Sequence, residues 1–304
     1  MLAVLVVGYG VAAWVFSGMI VGPPQGRPDR RATGNAPAVT EVDQVYVQES
    51  VQIPVGGGIE LAGMFYRHPN SAGRAVIFSH GRGGGYRQGK RFLQLLSEYA
   101  CDVLLLQHRG FGSSSPALLT YGYYEKSDLS GVVDWLGEYA GHDPSQIGLI
   151  GISYGSAISL QVLDLRDDLA FVIADSTFSD LSSVVQHTAG RQFGGWVQMF
   201  VPGAIKLAEM RADFSFEDVS PVNAVAGKRT PILLMHSVGD RRGSSAFSEV
   251  VYQNATKEHA VLSLNDWGNG HGGDIRSFEK YSVVVDRFVE QHVPAFRNAA
   301  SSLQ

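Results

Sequence analysis

Short apolar runs alternate along most of the chain with longer segments whose apolar positions recur at helical spacing. The runs at 45–51, 59–66, 75–79, 103–107, 147–151, 170–174, 232–236 and 260–264 predict strands, the first two joined by a turn at Gly56-Gly57-Gly58. Segments 88–100, 126–139, 154–165, 244–254 and 275–293 predict helices. This rhythm implies an α/β fold: a mostly parallel central sheet with helices on both faces, edged by an antiparallel hairpin. One interval breaks it. Residues 180–219 hold Gly194-Gly195-Trp196, Phe200 and Met210 but no obvious strand. An excursion of that length in a compact domain is usually functional, so a small helical cap is expected there.

Residues 2–21 form a different pattern, almost wholly apolar, with Arg27 the first charge after them. A spanning helix needs about 20 such residues. The alternative is a cleaved signal peptide, which has a basic start and a shorter apolar core. Met1-Leu2-Ala3 carries no basic side chain, so a retained single-pass anchor over 1–22 is the favoured reading. Arg27, Arg30 and Arg31 would then hold the following domain on the cytoplasmic side. Residues 23–38, rich in Pro, Gly and Arg, read as a linker, 39–296 as one globular domain, and 297–304 as a tail.

Composition narrows the classes. The net charge of −5 over 304 residues provides no basic surface for nucleic acid. A single cysteine, Cys101, rules out an intrachain disulfide and any multi-cysteine metal site. Its apolar neighbours make it a core residue. No cluster implies a metal or an organic cofactor.

The candidate chemistry lies after the strands. Gly151-Ile152-Ser153-Tyr154-Gly155 comes directly after a strand and opens a helix. A sharp turn in that position lifts a serine hydroxyl to the carboxyl end of a sheet, which makes Ser153 the candidate nucleophile. An ordinary Gly/Ser loop is the bland alternative. A hydroxyl needs a base, and His271 is the best placed, in the flexible run Gly268-Asn269-Gly270-His271-Gly272-Gly273 after the last strand. His236 reads as a packing or hydrogen-bonding residue within its turn. The acid that would orient the base is Asp240, after the strand ending at His236. Asp175, Asp266 and Asp274 are rivals by position. Ser79-His80-Gly81-Arg82-Gly83-Gly84-Gly85 exposes backbone amides, and those of Arg82 and Tyr154 are the candidate oxyanion donors. A phosphate-cradling loop is disfavoured, because the Lys-Ser/Thr ending of a P-loop is missing.

Together these stretches resemble the α/β-hydrolase superfamily, and within it the membrane-anchored serine-aminopeptidase-like hydrolases. Phe78-Ser79-His80-Gly81, His108-Arg109-Gly110-Phe111-Gly112, Asp143-Pro144, Ser220-Pro221 and His236 to Asp240 carry the likeness. The resemblance implies an α/β-hydrolase fold and a triad of Ser153, Asp240 and His271, in that chain order. Ser156 stands where many relatives have a second glycine. Cleavage of esters or thioesters, with lipid-like acyl groups hinted at by the apolar cap, is the leading expectation. A peptidase would need an acidic cluster for a substrate amine. A hydrolase fold kept only for binding is the third alternative.

Overall fold

A computed structural model describes residues 2–22 and 45–301. The expected linker at 23–38, with Arg27, Arg30 and Arg31, lies outside the described residues. The strands are β1 (Val47–Pro54), β2 (Glu60–Arg67), β3 (Ala75–Ser79), β4 (Asp102–Leu106), β5 (Ile147–Ile152), β6 (Phe171–Asp175), β7 (Ile232–Ser237) and β8 (Ala260–Asn265). They form one eight-stranded sheet in the order β1-β2-β4-β3-β5-β6-β7-β8. β1, β2 and β4 pair antiparallel, and every pairing from β4 through β3 to β8 is parallel. The first two strands turn back through Gly56, Gly57 and Gly58, whose φ values of 88°, 58° and 75° lie where glycine is at ease.

Burial explains which strands sit where. Every residue of β3, β4, β5, β6 and β7 is buried, as a strand covered on both faces requires. β1 alternates buried Val51 and Ile53 with exposed neighbours, as an edge strand with one wet face does.

The helices are α1 (Leu2–Val21), α2 (Tyr86–Gly89), α3 (Leu93–Glu98), α4 (Glu125–Ala140), α5 (Tyr154–Gln161), α6 (Leu181–Phe193), α7 (Val201–Ala212), α8 (Pro221–Ala224), α9 (Ser245–Asn254), α10 (Phe278–His292) and α11 (Pro294–Ser301). The continuous helix expected over 88–100 is split into α2, a 3-10 turn at Lys90–Phe92 and α3. The last helix carries the chain past 297, where a tail was expected.

Two cores flank the sheet. On one face Ile77, Leu104, Leu149 and Val172 meet α4 and α5 through Leu129, Val132 and Ile158. On the other Val76, Leu105, Ile150 and Ile173 meet α3, α10 and α11 through Leu95, Phe288 and Phe296. The period-two alternation of these strand residues assigns each side chain to its face. Cys101 is buried in the second core and its thiol donates to Leu96 O at 3.4 Å.

The expectation of a spanning anchor at 2–21 is not supported. Among the described residues no helix is long and apolar enough to cross a membrane. Instead α1 lies along α7. Tyr9 packs against Phe200 with the rings tilted and their centroids 5.3 Å apart, and Phe16 meets Phe193 at 5.4 Å. Gly203 makes the approach possible: a Cβ there would stand 2.8 Å from the Tyr9 hydroxyl. Ser17 is fully buried and accepts from Arg211 Nη1 at 3.0 Å. A helix that shares one face with protein in this way cannot at the same place be ringed by lipid. The other face remains apolar and exposed at Val7, Val11 and Trp14.

Candidate active site

Ser153 stands between β5 and α5 with φ 54° and ψ −114°, a conformation that costs a non-glycine residue about 1–3 kcal/mol. The surroundings hold it there. Its amide donates to Asp175 O at 2.8 Å, and Ala157 N donates back to Ser153 O at 3.1 Å. Two glycines make the turn sterically feasible. A Cβ on Gly155 would lie 2.1 Å from Ser79 O, and one on Gly151 would lie 2.5 Å from Gly155 O. Ser156 fits because its hydroxyl turns back to donate to Ser153 O at 2.6 Å.

His271 reaches this serine from the loop after β8. Its Nε2 is 2.7 Å from Ser153 Oγ and its Nδ1 is 2.5 Å from Asp240 Oδ2. With Nδ1–H donating to the carboxylate, Nε2 presents its lone pair to the serine hydroxyl. Asp240 lies just after β7 and is fully buried at its side chain. Its Oδ1 accepts the amides of Arg242 and Gly243 at 2.7 and 3.1 Å. Its Oδ2 accepts from His271 and also from His236 Nε2 at 3.1 Å. Burial opposes the charge, yet the hydrogen bonds from His236 and His271 outweigh it and hold the carboxyl well below the usual carboxylate range.

The rival acids stand elsewhere. Asp175 is buried at the end of β6, where it accepts from Ser176 Oγ at 2.8 Å. Burial, with Asp274 nearby, pushes it up to about 7. Asp274 is also buried and accepts from Asn265 Nδ2 at 2.9 Å. Asp266 is exposed. Hydrogen bonding to His271 falls to Asp240.

The loop after β3 carries Arg82. Gly84 N closes a turn onto Gly81 O at 2.8 Å, and Gly81 N donates to Gln88 Oε1 at 2.7 Å. His80 is buried below it. His80 Nδ1 bonds Gly81 O at 2.9 Å, its Nε2 accepts His108 N at 3.4 Å, and burial pushes its pKa down to about 4. Tyr154 is the first residue of α5, where an amide has no acceptor within the helix. Its phenol donates to Glu125 Oε1 at 2.8 Å, and buried Glu125 is held by Thr120 and Gly122. Arg82, Ser153, Tyr154 and His271 therefore open onto one cavity of about 630 Å³. Its upper walls come from α6, α7 and α1, through residues such as Val184, Val185, Val201, Ala204 and Phe16.

Three residues support the site: His236 was expected to pack or hydrogen-bond within its turn, whereas Ser176 and Glu125 escape sequence reasoning. His236 braces Asp240 and itself bonds Ser248 Oγ at 2.7 Å through Nδ1. Ser176, with φ 57°, ties the His271 loop to β6 by accepting Gly272 N at 2.9 Å. Glu125 fixes Tyr154 from a helix far off in sequence. Among the described residues no group of three or more His, Cys, Asp or Glu side chains could hold a metal ion.

Comparison with known proteins agrees with this architecture. Residues 74–211 match a family model described as the alpha/beta hydrolase fold. The Bacillus subtilis protein YqkD is 25% identical over 263 residues, covering 86% of this chain and 85% of its own. The YfhR protein of Escherichia coli K12 is 25% identical over 227 residues, 72% of each chain. Both bear names that call them uncharacterised. Among solved structures, an esterase of Pyrococcus furiosus superposes with a TM-score of 0.67 at 21% identity, over 90% of this chain and 98% of its own. The acylaminoacyl peptidase of Pyrococcus horikoshii gives 0.64 at 19% identity, over 88% of this chain and 44% of its own. At such identities the likeness is one of fold. The sheet order, the turn at Ser153 and the match over residues 74–211 together give this chain the α/β-hydrolase fold that its sequence motifs resemble.

Proposed function

We propose that the chain is a serine hydrolase that cleaves carboxylic esters or thioesters through an acyl-Ser153 intermediate. One observation carries the reading: a continuous relay from Asp240 Oδ2 to His271 Nδ1 at 2.5 Å and from His271 Nε2 to Ser153 Oγ at 2.7 Å. His271 takes the hydroxyl proton as Ser153 Oγ attacks the carbonyl carbon. The amides of Arg82 and Tyr154 receive the oxyanion. Collapse expels the alcohol or thiol, which leaves with the proton from His271. Water, deprotonated by the same imidazole, then releases the acid and restores Ser153. Asp240 stays ionised throughout and stabilises the imidazolium.

The cavity favours esters over N-terminal peptide trimming. Its walls are mostly apolar, and its lining includes the cations Arg82, Arg191 and Arg242 and, among the described residues, no Asp or Glu to hold a substrate ammonium. The fluorophosphonate reaction tests the nucleophile: the wild type is labelled, and Ser153→Ala is not and loses about 10⁴-fold or more in turnover. A wild type that resists the probe, or a Ser153→Ala protein that still takes it, ends the proposal. A panel of p-nitrophenyl esters beside aminoacyl amides tests the bond: turnover of amides alone would favour a peptidase.

Location is a separate part of the proposal. The exposed face of α1 at Val7, Val11 and Trp14 supports contact with a membrane surface, with the domain on the cytoplasmic side. Fractionation with protease protection decides it. Recovery of the protein wholly outside the membrane fraction, or protection from a protease added on the cytoplasmic side, removes it.

A further inference from the structure

The cavity above Ser153 is not closed by the hydrolase domain alone. One of its walls is α1, which contributes Val15, Phe16, Gly18, Met19 and Ile20, with Gly22 just beyond. Facing them across the space are Val184 and Val185 of α6 and Ala204 of α7. These are apolar groups, and the space is of a size that holds an extended acyl chain.

The carboxyl end of α1 is fastened to the same loop that carries the oxyanion donor. Arg82 Nη2 donates to Met19 O at 2.8 Å and to Gly22 O at 3.1 Å. Arg82 Nη1 donates to Tyr121 Oη at 3.0 Å, and that phenol donates to Ile20 O at 3.0 Å. Leu119 N donates to Val21 O at 2.8 Å. The last carbonyls of a helix have no partners within it and form the negative end of its dipole. A guanidinium and two further donors satisfy them here. Midway along α1, Arg211 Nη1 donates to Trp14 O at 3.3 Å and to Ser17 Oγ at 3.0 Å. The helix is thus seated by directed bonds at two levels, not only by apolar contact.

We propose that α1 is the specificity-determining wall of the acyl pocket and that the substrate class is an ester with an extended, unbranched apolar acyl chain. The proposal rests on Ser153 being the nucleophile. The acyl chain lies between α1 on one side and α6 and α7 on the other. Arg82 is a positioning residue: its side chain transmits the seating of α1 to the loop whose amide receives the oxyanion. Such an arrangement makes chain length a property read by the N-terminal helix.

The full-length protein tests this with p-nitrophenyl esters from acetate upward. In the wild type kcat/KM rises about fourfold for each methylene added until the chain fills the pocket. Met19 is 45% exposed at the rim of the cavity, so Met19→Trp is tolerated by the fold and narrows the pocket. It lowers the octanoate-to-acetate ratio of kcat/KM at least tenfold. Phe16→Ala widens the same wall and moves the optimum to longer chains. Arg82→Ala keeps the backbone amide but loses the clamp, and lowers kcat on every ester, acetate included. Fluorophosphonate labelling in parallel separates the two readings. An unlabelled wild type refutes the serine-hydrolase reading. A labelled wild type whose octanoate-to-acetate ratio stays within twofold in both Met19→Trp and Phe16→Ala refutes the role of α1. Should Phe16→Ala unfold, an unmoved ratio in Met19→Trp alone refutes it.

Discussion

Two pairs of histidines stand beside the elbow and differ in what they touch. His236 and His271 share the carboxylate of Asp240. His80 and His108 lie below the loop of Arg82, with ring centroids 5.0 Å apart, packed by Phe111 and Tyr154 and bonded to Ser79 Oγ and Gly81 O. The second pair has no carboxylate. Burial therefore holds His80 down to about 4 and His108 well below its ordinary value, and both serve as neutral struts. His271 keeps a side chain 19% exposed toward the cavity and rests on an anion held by two backbone amides. The first pair is thus tied to a fixed anion, and the second is held by neutral hydrogen bonds and ring contacts.

Replacing the anion gives the largest effect on that contrast short of removing Ser153. Asp240→Asn leaves the shape but can neither orient His271 as before nor stabilise its cation, and kcat falls by about 10⁴. Steady-state hydrolysis of a p-nitrophenyl ester measures it, and a loss under tenfold would make Asp240 dispensable. A smaller loss is expected on the other side of the carboxylate. His236→Phe removes one donor to a charged group, a change of about 1.5–3 kcal/mol or roughly 10–100-fold in rate. His236→Gln, which can still donate, recovers part of it. Equal losses in the two variants would mean that His236 only fills space.

The smallest effect concerns the struts and reads out in stability. Folded His80 binds a proton only near pH 4, whereas the unfolded chain binds it near 6.5. Between those values the unfolded state holds more protons, so stability falls as pH drops through that window, by at most about 1.4 kcal/mol per pH unit from this group. Urea midpoints from pH 7 to pH 4 measure the slope. His80→Asn flattens it, and an unchanged slope would show that His80 is already charged or already unfolded in that range.

Much of the framework is legible in the sequence because its signals are local. Fully apolar runs mark the buried parallel strands, and the glycines at 151 and 155 mark a turn in which a Cβ would strike Ser79 O or Gly155 O. Ser153, Asp240 and His271 each stand just past the end of a strand, and all three meet within hydrogen-bonding distance. The 88–100 segment misleads because its apolar spacing suits one helix, while Gly89 must pack where a Cβ would lie 2.6 Å from Leu105. Residues 2–21 mislead more instructively. An apolar stretch seeks any apolar environment, and hydropathy does not distinguish lipid from the flank of α7.

The sequence by itself therefore determined the alternation of strand and helix, the glycine-flanked turn at Ser153 and the order in which the candidate residues follow the strands, since each depends on neighbours in the chain. Tertiary structure alone decided which carboxylate meets His271 among Asp175, Asp240, Asp266 and Asp274. It also decided that His236 braces that carboxylate and that α1 walls the pocket of Ser153. Those outcomes depend on distances between residues far apart in the chain, such as Arg82 and Met19, and such distances are set by the packing of the whole fold.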